Sequence, residues 1–217
     1  MPKMRFDSIL TFNIGVSVFG MFAVLLLAFN PPTIHENLFL RKSLIGLVFS
    51  IICILGIFAA LFPKPCSQIF HFRKENTNFY SHQTNATSHH PDCGEFSAHV
   101  IHVSNHTFCA ACTGLFLGSL IAIIGTGLYF FGGWHADEIS IPLVLIGAIG
   151  VTLGFVQLKF RSFVRLMLNT LFVIGAFLLL VGIDASAKNL FADLFLVVFI
   201  VFWILTRIQI SQWDHWR

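Results

Sequence analysis

Six long runs of apolar residues, separated by short connections and one long polar loop, form the main pattern along the chain. A transmembrane helix needs roughly 20 apolar residues, because a rise of about 1.5 Å per residue must cover about 30 Å of hydrocarbon. All six runs reach about that length, so the pattern predicts six transmembrane helices. The runs are Ile9 to Phe29, Leu44 to Phe62, Thr113 to Phe131, Ile139 to Leu158, Phe163 to Ile183 and Leu190 to Ile208.

The first run lies near the N-terminus and could be mistaken for a cleaved signal peptide. It lacks a small-residue cleavage site, and it ends at Asn30-Pro31-Pro32, where proline stops the helix. We therefore predict that it stays in place as a permanent transmembrane helix.

The composition agrees with a membrane setting. Mean hydropathy is +0.83, 56% of the residues are apolar and 11% are charged, whereas about 25% are charged in soluble domains. The lipid bilayer is the expected partner, and a formal net charge of +3 spread over short connections argues against nucleic acid. Tryptophan favours membrane interfaces, and all four are expected there: Trp134, Trp203, Trp213 and Trp216.

The basic residues predict the orientation of the helices. With six helices both termini lie on one side, and cytoplasmic connections are usually richer in Lys and Arg. One side carries ten such residues and the other only Arg41, Lys42 and Lys188. We therefore predict a multi-pass protein of the cell membrane whose two termini and long polar loop are cytoplasmic. The ten are Lys3, Arg5, Lys64, Arg73, Lys74, Lys159, Arg161, Arg165, Arg207 and Arg217.

The predicted helices contain few groups suited to chemistry, and no ionisable residue lies near the centre of a run. Their main interior polar residues are Asn13, Gln157 and Asn169. Asp184, Lys188 and Asp193 lie where the fifth run ends and the sixth begins, and we interpret them as ordinary boundary residues. The motifs Gly114-x-x-x-Gly118 and Gly150-x-x-x-Gly154 predict close packing of the third and fourth helices, without identifying a partner.

The long polar loop divides the chain into helices 1 and 2 (residues 1–62), the loop (63–112) and helices 3 to 6 (113–217). Four of the five cysteines and seven of the ten histidines lie in this loop. A segment of this size rarely folds on its own core, and a metal ion is the simplest means of stabilising it. The sequence therefore predicts an all-α integral membrane protein of six transmembrane helices with a small metal-stapled cytoplasmic loop.

Part of the loop has the pattern of a β-hairpin. Two short apolar segments flank Ser104-Asn105, a plausible two-residue turn. In that register the numbers of opposite residues sum to 209, so Val100 faces Cys109 and His102 faces Thr107. His99 then lies opposite Ala110, which favours His99 over His102 as a neighbour of the cysteines.

Cys109-x-x-Cys112 has the usual spacing of two thiolates on one tetrahedral ion. Cys112 is expected to open the third helix, where the helix dipole favours a thiolate. Cys93 and His99 would complete a Cys3His set, which is typical of a structural zinc ion. His90 competes with His99, and its neighbour His89 is a weaker rival. If two histidines and fewer thiolates bound the ion, a coordination position would stay open for catalysis.

Two other uses of these cysteines stay open. Cys109 and Cys112 could form a redox pair, although that motif usually belongs to a soluble α/β fold. Disulfides would require an oxidising compartment, which contradicts the charge count; the glycosylation-type triplets Asn85-Ala86-Thr87 and Asn105-His106-Thr107 mildly favour this reversed topology. Cys53 is expected to pack as a small apolar residue, and Cys66 is a distant extra candidate.

The run Cys109-Ala110-Ala111-Cys112-Thr113-Gly114 resembles the signature of a family of small multi-pass prokaryotic membrane proteins classed as a domain of unknown function. That signature is Cys-Ala-Arg-Cys-Thr-Gly opening a helix, preceded by Cys-His-Gln. Upstream this chain departs from it, with His89-His90-Pro91-Asp92-Cys93 in another order and Ser81-His82-Gln83 lacking the cysteine. The resemblance covers about 30 residues; it implies a metal hairpin in a membrane protein and no activity.

Three functions follow from this pattern. The first is a structural or regulatory zinc site that folds the loop, which could dock other membrane-protein subunits. The second is a membrane-embedded zinc enzyme for a lipid or isoprenoid substrate, with Asp92 or Glu95 as acid or base. There an anionic head group would be held by Lys159, Arg161 and Arg165. The third is metal transport or sensing, which suffers from the lack of metal ligands inside the predicted helices.

Overall fold

A computed structural model of the protein describes residues 2–32, 40–61, 100–103, 106–156 and 162–215. Within these ranges six long helices account for most of the chain, together with one antiparallel pair of strands. The helices are α1 (Pro2–Phe29), α2 (Arg41–Leu61), α3 (Ala110–Thr126), α4 (Ser140–Phe155), α5 (Ser162–Ala187) and α6 (Leu190–His215). The strands are β1 (Val100–Val103) and β2 (His106–Cys109); a π-helical turn (Gly127–Phe131) extends α3, and a 3-10 turn (Asp137–Ile139) precedes α4.

All six helices contain a stretch long and apolar enough to cross a bilayer. The prediction of six apolar helices is therefore confirmed, and the chain has the architecture of a multi-pass membrane protein. The observed helices extend beyond several apolar runs. Helix α2 begins at Arg41 and α5 continues to Ala187, so charged residues that flank the runs in sequence belong to the helices.

Helix α5 lies at the centre of the bundle. Its most apolar stretch is 72% buried, compared with 22% for α1 and for α2, and it packs against α1, α3, α4 and α6. The phenylalanines of α1, such as Phe12 and Phe19, are exposed on the outside of the bundle. Such side chains suit contact with lipid, because the bilayer interior is as apolar as a protein core.

The two small-residue motifs bring their helices close to α5. A Cβ atom added to Gly114 would lie 2.4 Å from the carbonyl oxygen of Leu166, and one added to Gly150 would lie 2.8 Å from that of Leu171. The predicted close packing is confirmed, and the structure identifies the common partner as α5. The backbones of helices α4 and α5 also approach closely at Gly175.

Trp203 was expected at a membrane interface, and this prediction is wrong. Its side chain is fully buried in the middle of α6, and its Nε1–H donates to the carbonyl oxygen of Ser17 at 3.2 Å. A hydrogen bond of this kind satisfies the indole N–H inside the bundle, so the ring does not need water. Trp134, by contrast, is exposed after the π-helical turn, and its place at an interface stays a prediction.

Candidate functional site at four helix ends

Five polar side chains meet inside the bundle at the end opposite the polar loop. We call them the ionic cluster. They come from the start of α2, the π-helical turn after α3, the end of α5 and the start of α6. Its members are Arg41, Lys42, Tyr129, Asp184 and Asp193.

Local structure places the two aspartates next to each other. Asp184 lies three residues before the end of α5, and Asp193 is the fourth residue of α6. Only Lys188 and Asn189 connect these helices, and the Asn189 side chain accepts a hydrogen bond from the backbone N–H of Phe191 at 2.9 Å. This N-cap lets α6 begin directly after Asn189, so the chain reverses direction within two residues. The carboxyl groups of Asp184 and Asp193 therefore lie next to each other.

One guanidinium nitrogen of Arg41 contacts both carboxylates. The Nη1 atom of Arg41 lies 2.7 Å from Asp184 Oδ1 and donates to Asp193 Oδ2. Both aspartates are 0% exposed, and Arg41 is only 6% exposed. Burying charge in this way costs several kcal/mol per ion unless the groups pair well. The contacts with Arg41 therefore offset much of the cost of burying the two aspartates.

Tyr129 reaches the cluster because the helix is widened just there. The backbone N–H of Gly132 bonds to the carbonyl oxygen of Gly127 at 2.8 Å, which is a π-helical step. The Tyr129 hydroxyl donates to Asp184 Oδ2 at 2.7 Å. The Lys42 ammonium lies 3.8 Å from the same oxygen and 4.4 Å from the centre of the Tyr129 ring. Short π-helical turns are frequent at functional sites.

The hydrogen bonding of the cluster is incomplete. Asp193 Oδ1 is buried and accepts no hydrogen bond from any residue that the structure describes, and the buried Asp184 Oδ1 has the 2.7 Å ion-pair contact with Arg41 Nη1 in place of a well-aligned hydrogen bond. A buried oxygen without a donor costs about 1–3 kcal/mol. Ionisable groups buried in membrane helices are rare and commonly belong to proton or ion pathways. The ionic cluster is therefore the best-formed candidate site in the described part of the chain.

Asp184 and Asp193 lie near helix ends, as the sequence predicts. They differ from ordinary boundary residues because the packing of four helices removes them from solvent. Sequence reasoning missed the site because its members come from distant positions. The available signal is the clustering of charges at this end of the predicted bundle, where the sequence shows Arg41 only as a basic residue flanking the second apolar run.

A second, exposed ion pair lies beside the cluster. Lys188 Nζ is 2.9 Å from Asp137 Oδ1, and both side chains are 50% exposed. Lys188 has a φ of 46°, a left-handed conformation that is uncommon outside glycine. These two residues, with Ser140 and Ser186, line an open cleft of about 680 Å³. Water screens such a pair, so it contributes little to stability.

The predicted metal ligands fall only partly within the described ranges. Cys109 is the last residue of β2, and Cys112 is buried in the first turn of α3, which begins at Ala110. Cys93, His99 and His90 lie outside the described residues, as do Asp92 and Glu95. Among the residues that are described, no three His, Cys, Asp or Glu side chains form a group that could hold a metal.

The strands pair as the sequence predicts, at the level of the backbone. Val100 is opposite Cys109, Ile101 opposite Phe108, His102 opposite Thr107 and Val103 opposite His106. The zinc ion and the rest of the stapled loop stay predictions, because residues 62–99 and 104–105 lie outside the described ranges.

The loop end of the bundle holds buried cations. Arg165 and Arg207 are both buried, and the guanidinium carbon of Arg207 lies 5.2 Å from the centre of the Phe172 ring. Asn169, one turn after Arg165, donates to its carbonyl oxygen at 2.7 Å. Arg207 follows Asp193 by 14 residues, which is about 21 Å along a helix. The two polar regions therefore lie at opposite ends of the bundle.

Comparison with known proteins gives no relative from which a role could be transferred. No family model, no curated protein and no solved structure matches the chain. The function is therefore argued from the residues themselves.

Proposed function

We propose that the chain is a multi-pass membrane protein whose polar loop binds one zinc ion as a structural or regulatory site. The ligands in this proposal are Cys93, His99, Cys109 and Cys112, with His90 as the rival of His99. The site would hold the loop against the start of α3 and prepare a surface for other membrane-protein subunits.

The observation that supports the proposal is the junction of β2 and α3. Strand β2 ends at Cys109 and the helix begins at the next residue, so Cys109 and Cys112 stand on either side of one sharp turn. Because Val100 pairs with Cys109, His99 is the next residue along the chain from that pair. This arrangement is suited to two thiolates and one imidazole on a tetrahedral ion.

Replacing Cys109 and Cys112 with serine is expected to remove the metal. Elemental analysis of the purified full chain should find about one zinc ion per wild-type molecule and essentially none in the double variant, because two thiolates carry most of the binding in such sites. The matched control is Cys53→Ser, which changes a buried cysteine of α2. A metal-free wild-type protein of undiminished thermal stability would contradict the proposal.

A second candidate function is a membrane-embedded zinc enzyme for an anionic lipid or isoprenoid substrate. Of the three residues that the sequence assigns to the head group, Lys159 and Arg161 lie outside the described residues, and Arg165 is buried at the loop end of the bundle. The observation that favours this candidate is that a second arginine, Arg207, is buried at the same end. Guanidinium groups bind phosphate oxygens in a bidentate manner, so these two side chains would suit an anionic head group at this end of the bundle. In this scheme Asp92 or Glu95 would act as acid or base beside the metal.

Replacing Arg207 with glutamine is expected to weaken the retention of anionic lipid by about 10- to 150-fold, since a charge-assisted hydrogen bond contributes about 1.5–3 kcal/mol. Native mass spectrometry in the presence of phosphatidylglycerol would measure it. The control is Lys188→Gln at the opposite end, which should retain lipid like the wild type. Equal retention by both variants, together with unchanged cellular function of an Asp92→Ala, Glu95→Ala protein, would exclude the enzyme.

A further inference from the structure

We propose that Asp184 and Asp193 form a proton-binding site in which the two carboxyl groups share one proton beside Arg41. The site lies at the opposite end of the bundle from the polar loop and does not depend on the zinc proposal. Its ligand is a single proton, held where four helix ends meet.

The first argument is the ratio of charges in the buried part of the cluster. Both aspartates are fully buried, and both contact the same nitrogen of Arg41. One buried guanidinium thus faces two carboxyl groups. In a medium of low dielectric constant, two carboxylates at hydrogen-bonding range repel each other strongly, and sharing a proton removes that repulsion.

The second argument is a buried oxygen that lacks a donor. Asp193 Oδ1 is buried without a hydrogen bond from any described residue, and the two carboxyl groups are held close together because both contact one nitrogen, Arg41 Nη1. A proton on one carboxyl group supplies the missing O–H donor, and the other carboxylate accepts it. The same proton therefore reduces the charge and completes the hydrogen bonding.

The other charged groups facing this pair do not replace the proton. Lys42, from α2, is 3.8 Å from Asp184 Oδ2, but its side chain is 36% exposed and no contact to Asp193 is seen among the described residues. The Tyr129 hydroxyl, from the turn after α3, already donates to Asp184 Oδ2. Asp137, before α4, is paired with Lys188 in the exposed cleft. The last described turns of α1 carry no ionisable side chain.

A shared proton gives the bundle two states. With the proton bound, Arg41 balances the remaining negative charge. After the proton is released, a second negative charge remains buried near Tyr129 at the end of α5. This uncompensated charge weakens the packing of the four helix ends. Proton binding at this site is thus coupled to the packing of α2, α3, α5 and α6.

Infrared spectroscopy of the full chain in lipid nanodiscs tests the proposal directly. Wild-type protein with ¹³C-labelled aspartate carboxyl groups is expected to show, near neutral pH, a carboxylic-acid C=O band that shifts with the label and in D₂O. The band should correspond to one proton per chain and disappear as the pH is raised. It should be lost in Asp193→Asn and kept in Asp137→Asn, the matched change in the exposed ion pair.

The wild-type measurement decides the proposal even if Asp193→Asn fails to fold. Absence of a label-sensitive acid band in folded wild-type protein near neutral pH would overturn it, and the cluster would then be a fully ionised network. A band that survives in a folded Asp193→Asn protein and in a folded Asp184→Asn protein would place the proton elsewhere, which also overturns it.

Discussion

Replacing Arg41 with methionine is expected to lower the free energy of unfolding by about 3–5 kcal/mol, because the change leaves two buried carboxyl groups without their guanidinium. Methionine keeps much of the side-chain length, so the loss reflects the missing charge and hydrogen bonds rather than a cavity. The measurement is denaturant-induced unfolding of the purified chain in mixed micelles, followed by circular dichroism.

The exposed ion pair supplies the control for Arg41. Lys188→Met breaks a contact whose two side chains are 50% exposed, and such pairs contribute about 0.2–1 kcal/mol. A triple variant, Arg41→Met with Asp184→Asn and Asp193→Asn, should recover much of the loss, since replacing a whole buried network is far less costly than removing one partner. Equal effects of Arg41→Met and Lys188→Met would show that the ionic cluster is not buried as described.

Replacing Gly175 with alanine is expected to destabilise the bundle by about 1–3 kcal/mol, the usual cost of overpacking a tight interface. A Cβ atom at this position would lie 2.7 Å from the carbonyl oxygen of Gly147 and 2.9 Å from the nitrogen of Val151. Both are backbone atoms of α4, so no side-chain rotation relieves the contact. Helices α4 and α5 would have to separate, and thermal unfolding in detergent would report the change.

Gly15→Ala is the matched control, because a Cβ atom at Gly15 would meet nothing within 4 Å. Alanine favours a helix by about 1 kcal/mol over glycine, so this variant should be as stable as the wild type or slightly more stable. If Gly175→Ala is also as stable as the wild type, helices α4 and α5 do not approach each other as closely as described.

The two polar regions differ in how far the sequence could predict them. Cys109 and Cys112 are three residues apart, so their local spacing is sufficient to suggest a metal site and the strand register around it. Arg41 and Asp184 are 143 residues apart, and no local pattern connects them. The tight turn at Lys188 and Asn189 and the widened helix at Tyr129 bring the cluster together, and neither has a clear signature in apolar periodicity.

The same contrast explains Trp203. Tryptophans near the ends of apolar runs are often interfacial, but Trp203 lies well inside α6 and finds its hydrogen-bond acceptor on α1. A buried indole N–H needs no water when a neighbouring helix supplies a hydrogen-bond acceptor. The sequence does not show which helices are neighbours around α5, so it could not predict this acceptor.

The sequence by itself determined the six apolar helices, the small-residue surfaces that allow close packing and the pairing of β1 with β2. These features depend on neighbours within a few residues, on the length needed to cross hydrocarbon and on the alternation of side chains. Only the tertiary structure decided that α5 is central and that Arg41, Asp184 and Asp193 share one buried space. The physical reason is that burial of a charge depends on which helix ends meet, and that is settled by packing across the whole bundle.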